Sequence, residues 1–150
     1  METGAVYLDH LASTPLDPRV RDVMLPWLDA GAAGNPHSAH RAGWRAAAAV
    51  EQARDQVAAL IGARPGEIVL TSGATEANNL ALFGASRPGD LVIASAVEHP
   101  SVLACLPALE RQGRRIRTVA VDRDGRIRPD ALEEALGQPT PGGTIVSVMA

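Results

Sequence analysis

Leu91-Val92-Ile93, followed by Glu98-His99-Pro100-Ser101, reads as a short apolar run that leads into a helix start. Three further runs of the same kind, Ile68-Val69-Leu70, Thr118-Val119-Ala120-Val121 and Ile145-Val146-Ser147-Val148, lie beyond Glu67. Continuous apolar runs of this length suit strands buried on both faces. The stretches between them, at about 75 to 85, 100 to 112 and 129 to 136, suit helices long enough to cross over between parallel strands. The expected fold class is α/β: a three-layer, mainly parallel sheet flanked by helices, with the four runs as neighbouring strands.

Upstream the pattern is helical. Asp17-Pro18-Arg19 predicts a helix start with Asp17 as N-cap and Pro18 at the first helical position. That helix is expected to run to about Ala30 with a kink at Pro26, followed by a loop over Gly31 to Pro36. A second start near Ser38 opens a long Ala-rich helix to Ile61, stopped by Gly62. Downstream, Asp124-Gly125 marks a turn before the last helix.

A chain of 150 residues, 46% of them apolar, can bury one core, and no linker-like stretch divides it. A net charge of -3 with scattered Arg offers no basic stripe for nucleic acid. No apolar run nears the roughly 20 residues that span a bilayer, and the first residues lack a secretory pattern, so a cytoplasmic protein is expected. The single cysteine, Cys105, excludes an internal disulfide, and no Cys/His spacing supports a metal. All 14 basic residues are Arg, so the chain carries no lysine and no side-chain amine for a Schiff base.

Two helix starts could carry chemistry. At Thr71-Ser72-Gly73-Ala74-Thr75-Glu76, free backbone amides and the helix dipole suit an anion such as a phosphate, with Thr75 adding a hydroxyl. An ordinary capped helix start explains the same residues. His99, at the next start, suits either stacking on a planar cofactor beside that phosphate or plain helix capping. If the strands neighbour one another, Thr75 and His99 share one edge of the sheet. Asn35-Pro36-His37-Ser38-Ala39-His40 gathers polar groups in a loop that could face substrate or simply face water. Cys105, on one helical face with Val102 and Leu109, is expected to be buried and inert.

Taken in order, these stretches resemble the class V aminotransferase superfamily, and most closely its cysteine desulfurases, over essentially the whole chain. The resemblance rests on Val6 to Pro15, on Gly34-Asn35-Pro36-His37-Ser38-Ala39-His40 with Gly43, on Thr71 to Leu80, and on Glu98-His99-Pro100-Ser101-Val102-Leu103. It implies a pyridoxal 5'-phosphate (PLP) enzyme in which Ala74 and Thr75 bind the cofactor phosphate. His99 would stack over the pyridine ring and assist proton transfer, and Asn35 would lie near the substrate carboxylate. The implied reaction converts L-cysteine to L-alanine, with sulfur leaving as a protein persulfide for an acceptor or scaffold protein in iron-sulfur cluster or thio-cofactor synthesis. A homodimer is implied as well.

By the same resemblance, residues 1–150 form the N-terminal part of the PLP-binding large domain. Residues 1–15 would be an extended segment against a small second domain, 16–62 helices, and 67–150 alternating strands and helices. The Schiff-base lysine, the aspartate for the pyridine nitrogen, the substrate-binding arginine and the persulfide loop have no counterpart here, and Cys105 does not match the persulfide position. With the last residues just past a predicted strand, a fragment that is inactive by itself is expected. Two other readings stay open: another class V PLP enzyme, an aminotransferase or related lyase, or a non-catalytic α/β module that binds a phosphate or a partner protein.

Overall fold

The computed structural model describes residues 6–29, 34–137 and 139–149. Two compact units divide between Val69 and Leu70. In the first unit, helix α1 spans Pro18–Leu28, and the Asp17 carboxylate accepts the Arg19 amide at 2.8 Å, as the sequence predicts. Pro26 lies inside the helix, two residues before its end at Leu28. Of the loop expected over 31–36, residues 31–33 lie outside the described residues, as does Ala30.

Helix α2 spans Arg41–Ile61 and is capped by His40, whose Nδ1 accepts the Gly43 amide, rather than by Ser38. It ends at Gly62, where a φ of 69° turns the chain left-handed and lets the Ala63 amide reach back to the Ala58 carbonyl.

The second unit is a three-layer α/β sandwich. Strand β1 (Leu91–Ser95) lies in the middle, flanked by β2 (Arg115–Val119) and β3 (Thr144–Ser147), both parallel to it. Val92 is in register with Ile116 on one side and Ile145 on the other. Side chains alternate along β1. Val92 and Ala94 join Leu82 of α3 (Ala74–Ala85), Val102 of α4 (Pro100–Leu103) and Leu106 and Leu109 of α5 (Leu106–Arg111). Leu91 and Ile93 face Ala135 of α6 (Pro129–Leu136) on the opposite side. Val92 and Ile93 are at most 1% exposed, and burial of each contributes roughly 1.5–3 kcal/mol. Every connection in this sheet runs through a helix, as parallel pairing demands.

Four sequence expectations are corrected. Ile68-Val69-Leu70 forms no strand: the Ile68 amide donates to the Pro65 carbonyl at the end of a short 3₁₀ turn, the Arg54 guanidinium donates to the Ile68 carbonyl, and Val69 and Leu70 are exposed. A β-prone run becomes a strand only when another strand pairs with it. β2 begins three residues earlier than expected, since Arg115-Ile116-Arg117 alternates in the manner of an edge strand. Burial on both faces holds for β1 alone; β2 and β3 are edges and half exposed. The helix expected from 100 to 112 breaks at Ala104-Cys105, because Pro107 has no amide to donate to the Leu103 carbonyl.

Candidate active site

The start of α3 is open. Gly73 is its N-cap and has no side chain to offer, and the first bond within the helix runs from the Ala77 amide to the Gly73 carbonyl. The amides of Ala74, Thr75 and Glu76 precede that bond, and all three residues are exposed. The Glu76 carboxylate turns back to accept from the Ser72 amide at 2.7 Å and the Ser72 hydroxyl at 2.6 Å, which folds residues 72–75 into a tight turn. These bonds, the hydroxyl's first, hold the Glu76 carboxyl below the usual glutamate range. The result is an exposed helix start whose first amides meet no side-chain cap and which carries the Thr75 hydroxyl group, donors of the kind that fit a phosphate.

His99 follows β1 and caps α4. Its Nδ1 accepts the Ser101 amide at 3.1 Å and lies 2.8 Å from the Ser101 hydroxyl. Because Nδ1 must supply a lone pair to that amide, a neutral ring carries its proton on Nε2. The Ser101 hydroxyl also accepts from Asn78 of α3 at 2.8 Å. Asn79, next along α3, donates to the Thr75 carbonyl and accepts from the Cys105 thiol. Through Asn78 and Asn79, the turn that carries Ala74 and Thr75 is joined to the turn that carries His99. This tie runs between helices and does not depend on the expected strand before Thr71.

Glu98 is buried at 7% exposure, and no cation among the described residues pairs with it. Its Oε1 accepts from the Ser95 hydroxyl and the Met149 amide, both at 2.6 Å, and its Oε2 from the Ser147 hydroxyl at 2.8 Å. Burial pushes its pKa up, but these three donors outweigh it and leave the carboxyl below the usual range.

Asn35 lies in the first unit. Its side chain accepts the His37 amide, and its carbonyl accepts the Ser38 amide. Gly43 has no room for a side chain, since a Cβ there would stand 2.1 Å from the Ser38 carbonyl oxygen. Cys105 is buried at 4% exposure, donates to the Ser101 carbonyl, and has its thiol pKa pushed up by burial, as expected of a packing residue. Sequence reasoning gave no role to Glu98, Asn78 or Ser101. A usable signal existed in His99-x-Ser101, the spacing at which a cap and its hydroxyl partner can meet.

The model for Aminotransferase class-V matches residues 6–150, and the chain belongs to that family. Among curated relatives it is 43% identical to "Cysteine desulfurase IscS" of Anaeromyxobacter sp. (strain K), over 96% of this chain and 36% of that one. It is 46% identical to "Cysteine desulfurase" of Homo sapiens, over 96% of this chain and 32% of that one. The chain thus spans about a third of the length of the curated relatives it matches. Among solved structures, the cysteine desulfurase of Thermococcus onnurineus NA1 matches at a TM-score of 0.73 and 26% identity, covering 87% of this chain and 34% of that one. A "NifS-like protein" matches at 0.71 and 33% identity, covering 82% and 35%.

Proposed function

We propose that this chain is the N-terminal part of a PLP-dependent cysteine desulfurase, active as a homodimer in the cytoplasm. The enzyme converts L-cysteine to L-alanine and passes the sulfur, as a persulfide, to an acceptor or scaffold protein for iron-sulfur cluster or thio-cofactor synthesis. The observation that carries this reading is the identity of 43–46% to cysteine desulfurases over 96% of the chain. The open start of α3, tied to His99, supports it.

In this reading the amides of Ala74 and Thr75, with the Thr75 hydroxyl, hold the cofactor phosphate at the positive end of α3. His99 covers the cofactor ring, its Nδ1 occupied by Ser101 so that Nε2 is the atom that holds or releases a proton. Asn35 contributes near the substrate carboxylate. PLP, when bound, supplies the electron sink for the bonds broken at the substrate. Covalent retention of PLP and persulfide formation fall to residues outside these 150, because the chain has no lysine and Cys105 is buried.

The test treats the purified 150-residue chain and the longer desulfurase containing it with PLP and borohydride, followed by mass measurement and a sulfide assay with L-cysteine. The longer protein is expected to gain one reduced adduct and to release sulfide; the 150-residue chain is expected to do neither. A longer protein that binds PLP but consumes another amino acid overturns the desulfurase assignment, and an adduct on an internal residue of the short chain overturns the division of labour.

A further inference from the structure

We infer that Glu98 is a positioning residue for His99, fastening the C-terminal ends of β1 and β3 to each other so that the turn between β1 and α4 presents the imidazole in one orientation. The inference rests on the proposed role of His99. Its physical basis is the set of partners. The Glu98 carboxylate collects one donor from β1 (Ser95) and two from the end of β3 (Ser147 and the Met149 amide), 49 and 51 residues further along the chain. All three donors lie at the strand ends from which site residues emerge in parallel sheets.

A buried carboxylate without a cation is a poor stabilising device, since an apolar residue of similar size is often as good or better. What the carboxylate adds is geometry: it fixes the backbone immediately before His99. Ser101 and Asn78 then fix the ring from the other side, through Nδ1. His99 is exposed, and the hydrogen bonds that hold its ring and the backbone before it are those of these two anchors.

The role is geometric rather than electrostatic, which makes two substitutions at one position informative. In Glu98→Gln, the amide oxygen can accept from Ser95 and Met149 while the amide nitrogen donates to the Ser147 hydroxyl, so the anchor survives without the charge. Glu98→Met keeps the size and removes every acceptor. In the longer enzyme, Glu98→Met is expected to lower kcat for sulfide release about tenfold with KM and PLP affinity within about twofold, whereas Glu98→Gln stays within about threefold of the parent. Nitrogen NMR of the cofactor-free protein, with the His99 signal assigned through His99→Gln, is expected to show one fixed tautomer in the parent and Glu98→Gln, and averaging in Glu98→Met.

A parent-like His99 signal and kcat in Glu98→Met, even with a lowered melting temperature, would overturn the inference. So would Glu98→Gln as impaired as Glu98→Met, which would assign the effect to charge. If Glu98→Met does not fold, the Ser95→Ala/Ser147→Ala double variant, which leaves only the Met149 amide, is expected to give an intermediate loss and partial averaging; no change in either overturns the proposal. The NMR arm is independent of turnover: absent sulfide release by the parent, with the tautomer pattern as expected, would refute the desulfurase reading and leave the anchoring role intact.

Discussion

The helix starts at Gly73 and His99 follow the same rule of helix chemistry and arrive at opposite results. A helix leaves its first amides without intrahelical acceptors, and something else must satisfy them. At α3 the cap is a glycine, so the amides of Ala74, Thr75 and Glu76 receive no side-chain cap. At α4 the cap is His99, Pro100 has no amide, and the Ser101 amide is taken by the imidazole. One start leaves its donors without a side-chain cap, while the other uses its donor to orient a side chain. A cap therefore decides whether the first amides of a helix stay uncapped or hold a side chain in place, and Asn78 of α3 reaches the second start through Ser101.

The largest expected effect comes from removing the presented side chain. In the longer enzyme, His99→Ala is expected to reduce kcat by about 10²–10⁴, the usual range for a lost proton-transfer group, with PLP still bound; steady-state sulfide release checks this. Converting the binding start into a capped one follows. Gly73→Asp supplies a carboxylate that caps the α3 amides and repels a phosphate, and is expected to weaken PLP affinity by about tenfold or more, read by equilibrium dialysis. Unchanged affinity would mean that the α3 start is an ordinary helix terminus.

Cutting the link between the two starts should act more mildly. Ser101→Ala leaves the backbone cap of His99 intact but removes the hydroxyl bridge to Asn78. It is expected to lower kcat by about threefold and stability by about 1 kcal/mol, a typical single hydrogen bond. The smallest effect is on acid stability. The Glu98 pKa in the folded chain lies below its ordinary value of 4.5, so its contribution is fully present above about pH 4.5 and is lost as pH falls through the folded-state value. Any melting-temperature advantage of the parent over Glu98→Gln is therefore expected to shrink on acidification below about pH 4.5.

Much of this was legible in the sequence because the determinants are local. Asp17-Pro18 starts α1, Gly62 stops α2, and Pro129 to Leu136 forms α6 over the expected residues. The apolar run at Leu91 becomes the central strand. Ala74, Thr75 and His99 stand on the helix starts to which the motifs assign them. The run at Ile68 failed for the opposite reason: its composition favours a strand, but pairing is a property of two segments, and here its carbonyl is taken by Arg54 and its amide by Pro65.

The sequence by itself determined the helix caps, the apolar centre of the sheet, the missing lysine and the motifs that mark the family. Only the tertiary structure decided which apolar runs pair and that Glu98 is buried among three donors. The physical reason is range. A cap or a turn is settled by residues within a few positions of one another, whereas the bonds that hold Glu98 reach 49 and 51 residues along the chain and exist only once β1 and β3 lie side by side.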